Sequence, residues 1–290
     1  MIWNLGSINT DNLYTVPHLP VPGETLAARE LQRGLGGKGA NMSVAAARGA
    51  AHVVHIGAIG ADGVWAKDRL LEYGVDTRHI AEMKDPTGHA NITLDPHGEN
   101  QIILYPGANH KITPQMIGSA LAEASPRDFL LMQNETTGQL FAAQTARTLG
   151  LRVAYAAAPF EARAVRELMA HLDLLIMNAV EAAQLEAELG QTLASVTVSD
   201  VIVTRGADGC RWLSQRDGQT RDFAAYPIDV VDTTGAGDTF TGYLLAGLDR
   251  GLRMEGAIDL ALQAAALMVG RRGTADVIPD LKEIQDHGFG

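Results

Sequence analysis

The sequence predicts an α/β fold: a three-layer α/β/α body around a mostly parallel sheet, with a small β lid set into it. Three observations lead there. Short apolar runs of strand length recur at residues 2–6, 53–59, 129–132, 152–155, 174–177 and 201–204. Segments with apolar residues at helical spacing fall between and after them, at 39–49, 64–73, 114–123, 139–149, 163–170 and 179–189. Such alternation is the pattern of βαβ units. Two further stretches, about 12–35 and 88–106, break the rhythm with polar–apolar alternation.

Taken in order, the first run starts at Ile2 and stops at Gly6, where polar residues take over. The stretch 12–35 is rich in Pro and Gly and has no helical period, so it reads as a pair of short antiparallel strands. The stretch 88–106 reads the same way, with a turn at Asp95-Pro-His-Gly98. Together the two pairs suggest a lid over one end of the sheet. Gly209-Cys-Arg-Trp-Leu-Ser214 reads as a strand, and Cys210 within it as a buried structural thiol. The last third changes character, with two alanine-rich helices expected at 236–250 and 255–269. No internal repeat or low-complexity linker interrupts residues 1–290, which read as one α/β domain carrying the lid.

Bulk properties narrow the function. Hydrophobic residues make up 46% of the chain, enough for a large core. A formal charge of −11, spread along the sequence, argues against nucleic acid or an anionic membrane as the main partner. One cysteine permits no internal disulfide, and neither a leader nor a membrane-length apolar stretch is visible, so a cytoplasmic location is expected. The nine histidines show no metal-ligand spacing.

The most informative segment is Val230-Val-Asp-Thr-Thr-Gly-Ala-Gly-Asp-Thr-Phe240. An extended run ends at Asp232, and a glycine turn then opens directly into a helix. Helix N-termini carry unpaired N–H groups and hold anions. Gly235, Ala236 and Gly237 let the backbone approach a phosphate, and Asp238 falls in the first helical turn beside it. A carboxylate there can take the proton of an attacking hydroxyl. A plainer reading makes Asp238 an acid favoured at a helix start.

At the other end, Asn9 and Asp11 lie just past the first strand and share a face if the chain stays extended. An amide and a carboxylate so placed can bond vicinal hydroxyls. Gly34-Leu-Gly-Gly-Lys-Gly-Ala-Asn41 then opens a helix. It contains a formal G-x-G-x-x-G, but the residues before it are polar where a dinucleotide fold needs a buried first strand. It is not a Walker loop either, since Gly39 follows Lys38.

Both strings resemble the two signatures of the ribokinase-like sugar kinases, the phosphofructokinase-B family, and the motifs follow in that family's order from Gly6 to about Pro279. The resemblance implies a ribokinase-like fold with an anion hole at Gly235, Ala236 and Gly237 and a catalytic base at Asp238. It implies sugar contacts at Asn9, Asp11, Gly37, Lys38, Asn41 and Asp238, and at Glu135, which follows a strand and matches the place of the family's sugar-binding glutamate. Asn178, Thr204, Arg205 and Gly206, with Gly235 and Gly237, would contact ATP. Asn178 and Glu181 would organise Mg2+ through water, although the pair also reads as a helix-capping box. Asp232 and Thr234 match a K+ site, with Val277 where a serine hydroxyl is usual. Two more departures are a short 189–201 region and Ala156-Ala-Ala-Pro159 in place of Asn-Pro-Ala-Pro. The implied reaction moves the γ-phosphate of ATP to a primary hydroxyl of a small sugar, ribose first. Kinases of other sugars or nucleosides, a non-catalytic sugar-binding protein and a dinucleotide-dependent oxidoreductase stand as alternatives. A homodimer through the lid is also implied.

Overall fold

The computed structural model describes residues 1–289. In chain order, β1 (Ile2–Leu5) leads into β2 (Asn9–Thr15), β3 (Glu30–Gly36) and α1 (Lys38–Arg48). Then come β4 (Val53–Gly60), α2 (Val64–Glu72), β5 (Ile80–Met83), β6 (Gly88–Leu94), β7 (Asn100–Tyr105) and α3 (Pro114–Leu121). The middle holds β8 (Phe129–Met132), α4 (Gln139–Thr148), β9 (Arg152–Ala156), α5 (Ala162–Leu168), β10 (Leu174–Asn178), α6 (Ala179–Leu189) and β11 (Asp200–Thr204). The chain closes with β12 (Cys210–Ser214), β13 (Gln219–Phe223), α7 (Ala236–Asp249), α8 (Met254–Val269) and α9 (Leu281–His287).

The main sheet runs β13-β12-β11-β10-β9-β8-β1-β4-β5. Its strands are parallel from β5 to β11, and β12 and β13 add an antiparallel margin. Successive strand residues point to opposite faces, which divides the core in two. Ile2, Val53, Leu131 and Ile176 meet α1, α2, α7, α8 and α9 on one side. Trp3, Val54, Leu130 and Leu175 meet α3 to α6 on the other. This is the expected three-layer α/β/α body. All the parallel strands end at one edge, and ligands of open α/β sheets bind along that edge.

The lid is a second, four-stranded sheet in the order β3-β2-β6-β7. Its two expected antiparallel pairs are present, joined by a parallel β2–β6 pairing that the sequence did not predict. The lid also starts earlier than expected: β2 begins at Asn9, so Asn9 and Asp11 are lid residues. Glu30–Gly36 is a largely exposed lid strand, so the G-x-G-x-x-G string does not follow a buried central strand. Three elements had no sequence expectation, namely β5, β13 and α9. Between α6 and β11 only a short 3-10 turn at Leu193–Ser195 forms, as the shortened region predicted. No helix is long and apolar enough to cross a membrane among the described residues.

Candidate active site

The site assembles where α1 and α7 both begin. Gly235 takes a left-handed conformation (φ 76°) and turns the chain into α7, with Asp238 in its first turn. The amides of Gly235, Gly237 and Asp238 make no hydrogen bond among the described residues, whereas Ala236 N reaches Thr233 O at 3.3 Å. The space beside Gly237 is open. Three free N–H groups at a helix start, on the dipole's positive end, are suited to holding an anion.

Asp238 itself is buried and accepts a hydrogen bond from Asn41 Nδ2 at 2.9 Å. One turn on, Gly242 lets α7 press against α1: an added Cβ there would lie 2.6 Å from Met42 O and 2.8 Å from Ala46 N. That close approach sets the Asn41–Asp238 pairing. Burial pushes Asp238 up to about 6, and Lys38 and the Asn41 bond only partly oppose it. Asp11 is likewise pushed up to about 6, first by burial and then by Glu135 and Asp238.

The start of α1 is built from glycines with separate duties. Gly36 faces the Asp11 carboxylate so closely that a Cβ would overlap it. Gly37 has φ 92° and abuts the backbone of Ser7 and Asn9. Gly39 packs directly on Gly6 and Ser7. The Glu135 carboxylate caps this helix, accepting from Lys38 N at 3.0 Å and from the Ser7 hydroxyl. Gly39 N in turn donates to Ser7 Oγ at 3.2 Å. Asn9 Oδ1 accepts from Asn109 Nδ2 at 2.8 Å, and Asn109 also bonds both backbone groups of Ile8. Asn41 Oδ1 is buried without a partner.

Asp11, Lys38, Asn41, Glu135 and Asp238 thus come together as the sequence predicted. Ser7, Gly36, Asn109 and Gly242 were missed. Ser7 meets Glu135 across 128 residues, and nothing in its local sequence marks the pairing. Gly36 was legible only as part of a glycine run.

The remaining candidates lie further along the carboxyl edge. Asn178 and Thr204 are register partners at the ends of β10 and β11. Asn178 and Glu181 form the capping box, with Glu181 N to Asn178 Oδ1 at 2.9 Å and Asn178 N to Glu181 Oε2 at 2.8 Å. Gly206 turns with φ 58° in open space. Arg205 is drawn the other way, to Asp222 at 3.1 Å on the antiparallel margin, so the structure does not bring it to the anion loop. Asp232 folds back on its own turn, accepting from Thr234 N at 2.9 Å and Gly273 N at 3.4 Å. No group of three or more His, Cys, Asp or Glu side chains converges to hold a metal ion among the described residues.

Free amides at a helix start, a buried carboxylate beside them and a β lid fit a phosphotransferase that acts on an alcohol. The chain belongs to the pfkB family of carbohydrate kinases, whose family profile matches residues 1–281. It is similar to the ribokinase of Haemophilus influenzae, at 35% identity over 96% of this chain and 95% of the relative. The fold matches a Cryptococcus neoformans ribokinase solved with ADP, at TM-score 0.88, 30% identity and 99% of both chains. It also matches an Arabidopsis thaliana ribokinase solved with ribose and ATP, at TM-score 0.84, 26% identity and 98% and 97% of the two chains. A Salmonella typhi deoxyribokinase is 27% identical over 98% of this chain and 97% of its own length.

Proposed function

We propose that this carbohydrate kinase transfers the γ-phosphate of ATP to the primary hydroxyl of ribose, giving ribose 5-phosphate. The observation that carries the reading is Asp238, buried, bonded to Asn41 and set beside three unpaired amides. The hydroxyl proton passes to the Asp238 carboxylate as the hydroxyl oxygen attacks the γ-phosphorus. The bond to the bridging oxygen breaks, and ADP leaves with that oxygen. The free amides at the start of α7 hold the charge that develops on the transferred phosphoryl group.

The sugar would lie under the lid among Asn9, Asp11, Lys38, Asn41 and Glu135. Asn9 gives its carbonyl to Asn109, so its NH2 faces the ligand as a donor. Asn41 gives its NH2 to Asp238, and its unpaired Oδ1 remains to accept a hydroxyl proton. ATP would run from the anion loop past Thr204, Gly206 and Asn178, and Arg205 would reach a phosphate only on leaving Asp222.

The capping box uses Asn178 Oδ1 and Glu181 Oε2 and leaves Glu181 Oε1 free, a donor set suited to magnesium held through water and the nucleotide. Magnesium offsets phosphate charge when bound. Asp232 and Thr234 could flank potassium, although the hydroxyl-free Val277 offers that site one ligand fewer. We also propose a homodimer through the lid, because β7 is an edge strand with Ile102, Ile103, Leu104 and Tyr105 all exposed.

The deciding experiment is coupled ADP release with ribose, 2-deoxyribose, other sugars and nucleosides, with and without potassium. Selective turnover of ribose is expected. Faster turnover of another acceptor overturns the substrate but leaves the base and anion site standing.

A further inference from the structure

His55 lies fully buried in β4, and the chemistry above makes no use of it. Its ring is bonded at both nitrogens, with Ser43 Oγ 2.8 Å from Nδ1 and the Gly6 carbonyl 3.0 Å from Nε2. A carbonyl can only accept, so Nε2 carries the proton and Nδ1 accepts from the Ser43 hydroxyl. Burial pulls the imidazole pKa down to about 4, in keeping with a neutral ring. Ser43 Oγ also accepts from Asn4 Nδ2 at 2.8 Å, and the same amide donates to Gly39 O at 2.8 Å. Asn4 Oδ1 accepts from Gln133 Nε2 at 2.9 Å. The ring is closely enclosed: a Cβ added at Gly6 or Gly57 would meet it at 3.1 or 2.8 Å.

Four buried polar side chains therefore tie together β1, α1, β4 and the end of β8. Apolar residues would fill these positions without any need for partners. A hydrogen-bonded network instead fixes geometry, because each member left unpaired carries its full desolvation cost. What it fixes is specific. Gly6 immediately precedes Ser7, which holds Glu135. Gly39 immediately follows Lys38, and Gln133 stands two residues before Glu135. The network thus anchors the chain one residue from Lys38, two residues from Glu135 and three residues before Asn9.

We propose that His55, through Gly6 and through Ser43, Asn4 and Gln133, is a positioning residue that holds the sugar-binding segments in register and sets affinity for the acceptor sugar. This rests on the kinase reading above. The test therefore uses whichever acceptor the unaltered enzyme turns over fastest, so a substrate other than ribose overturns the substrate reading alone.

His55→Phe keeps a ring but removes both hydrogen bonds. His55→Gln returns a donor toward Gly6. For His55→Phe, acceptor KM should rise about tenfold while KM for ATP and kcat stay within about twofold, with partial recovery in His55→Gln. Ser43→Ala should raise acceptor KM by about threefold. Leu70→Ala, a core truncation on α2, controls for stability loss and should leave both KM values in place. An unchanged acceptor KM in folded His55→Phe overturns the proposal, as does a parallel rise of both KM values. If His55→Phe does not fold, Ser43→Ala and His55→Gln decide it by the same split, and an unchanged acceptor KM in both sinks it.

Discussion

Replacing Asp238 by Asn separates catalytic base from helix cap, because the two roles predict opposite changes in stability. The carboxylate is buried, and its pKa is pushed from 3.8 to about 6. Between those values the folded state binds more protons than the unfolded chain, so stability falls as pH rises through the interval. At neutral pH the folded protein carries the full cost, on the order of 3 kcal/mol for a shift of about two units. Asparagine has no such cost and can still accept from Asn41. It loses about 0.3–1 kcal/mol of favourable interaction with the start of α7. It also leaves the Lys38 charge with less opposition. The net change is a gain on the order of 1–2 kcal/mol at pH 7, fading toward pH 4. In a chain of this size that is a rise of several degrees in Tm, read by thermal unfolding. Turnover should meanwhile fall by a factor on the order of 100 to 10,000. A simple cap would show lower Tm and near-normal turnover, and that pair of results would refute the reasoning.

Four further outcomes are expected. Activity should fall as pH drops through about 6, because the base must be ionised; the limb belongs jointly to Asp11 and Asp238, and a pH profile of kcat/KM reads it. Gly36→Ala drives a methyl into the Asp11 carboxylate, so acceptor KM should rise about tenfold or more with KM for ATP little changed. Asn178→Ala should cost about 1 kcal/mol by denaturant unfolding, whereas Asn178→Ser keeps the cap; a fall in kcat for the serine variant would assign the amide to the nucleotide and magnesium. Ile103→Glu on the exposed lid edge should yield monomers by light scattering, and a wild type that is already monomeric would remove the dimer.

How much of this was legible follows from where the information sits in the chain. The sheet was legible because its parallel strands are short apolar runs separated by helical periods, and runs such as Phe129–Met132 match residue for residue. β5 was not, because Ile80–Met83 has a mixed burial pattern and sits at the sheet edge with β4 as its one neighbour. The parallel β2–β6 pairing escaped because it joins strands some 80 positions apart, and alternation within each strand is blind to its partner. The site shows the same division. Gly235 to Asp238 form one contiguous turn, so their local chemistry is readable. Glu135 was singled out through the family resemblance and does lie beside Lys38, but its dual grip on Ser7 and Lys38 was not readable.

The buried supports were least legible of all, for a physical reason. Asn4, Ser43 and His55 each have apolar neighbours and singly look like interruptions of a strand or helix, and Gln133 reads as the first polar residue after β8. Their meaning comes from the bonds they make to one another, which only the fold supplies. Local sequence thus announces the groups proposed to meet the substrate, because phosphate and sugar chemistry demands particular residues in particular turns. It conceals the groups that hold them, because any residue able to complete the network would serve. Asn109 belongs with these supports. It pins Ile8 and Asn9 at the point where β7 rejoins the body, so the lid's orientation and the direction of the Asn9 amide are set by one side chain. The lid strand β2 and the body are therefore joined through one side chain beside the proposed sugar site.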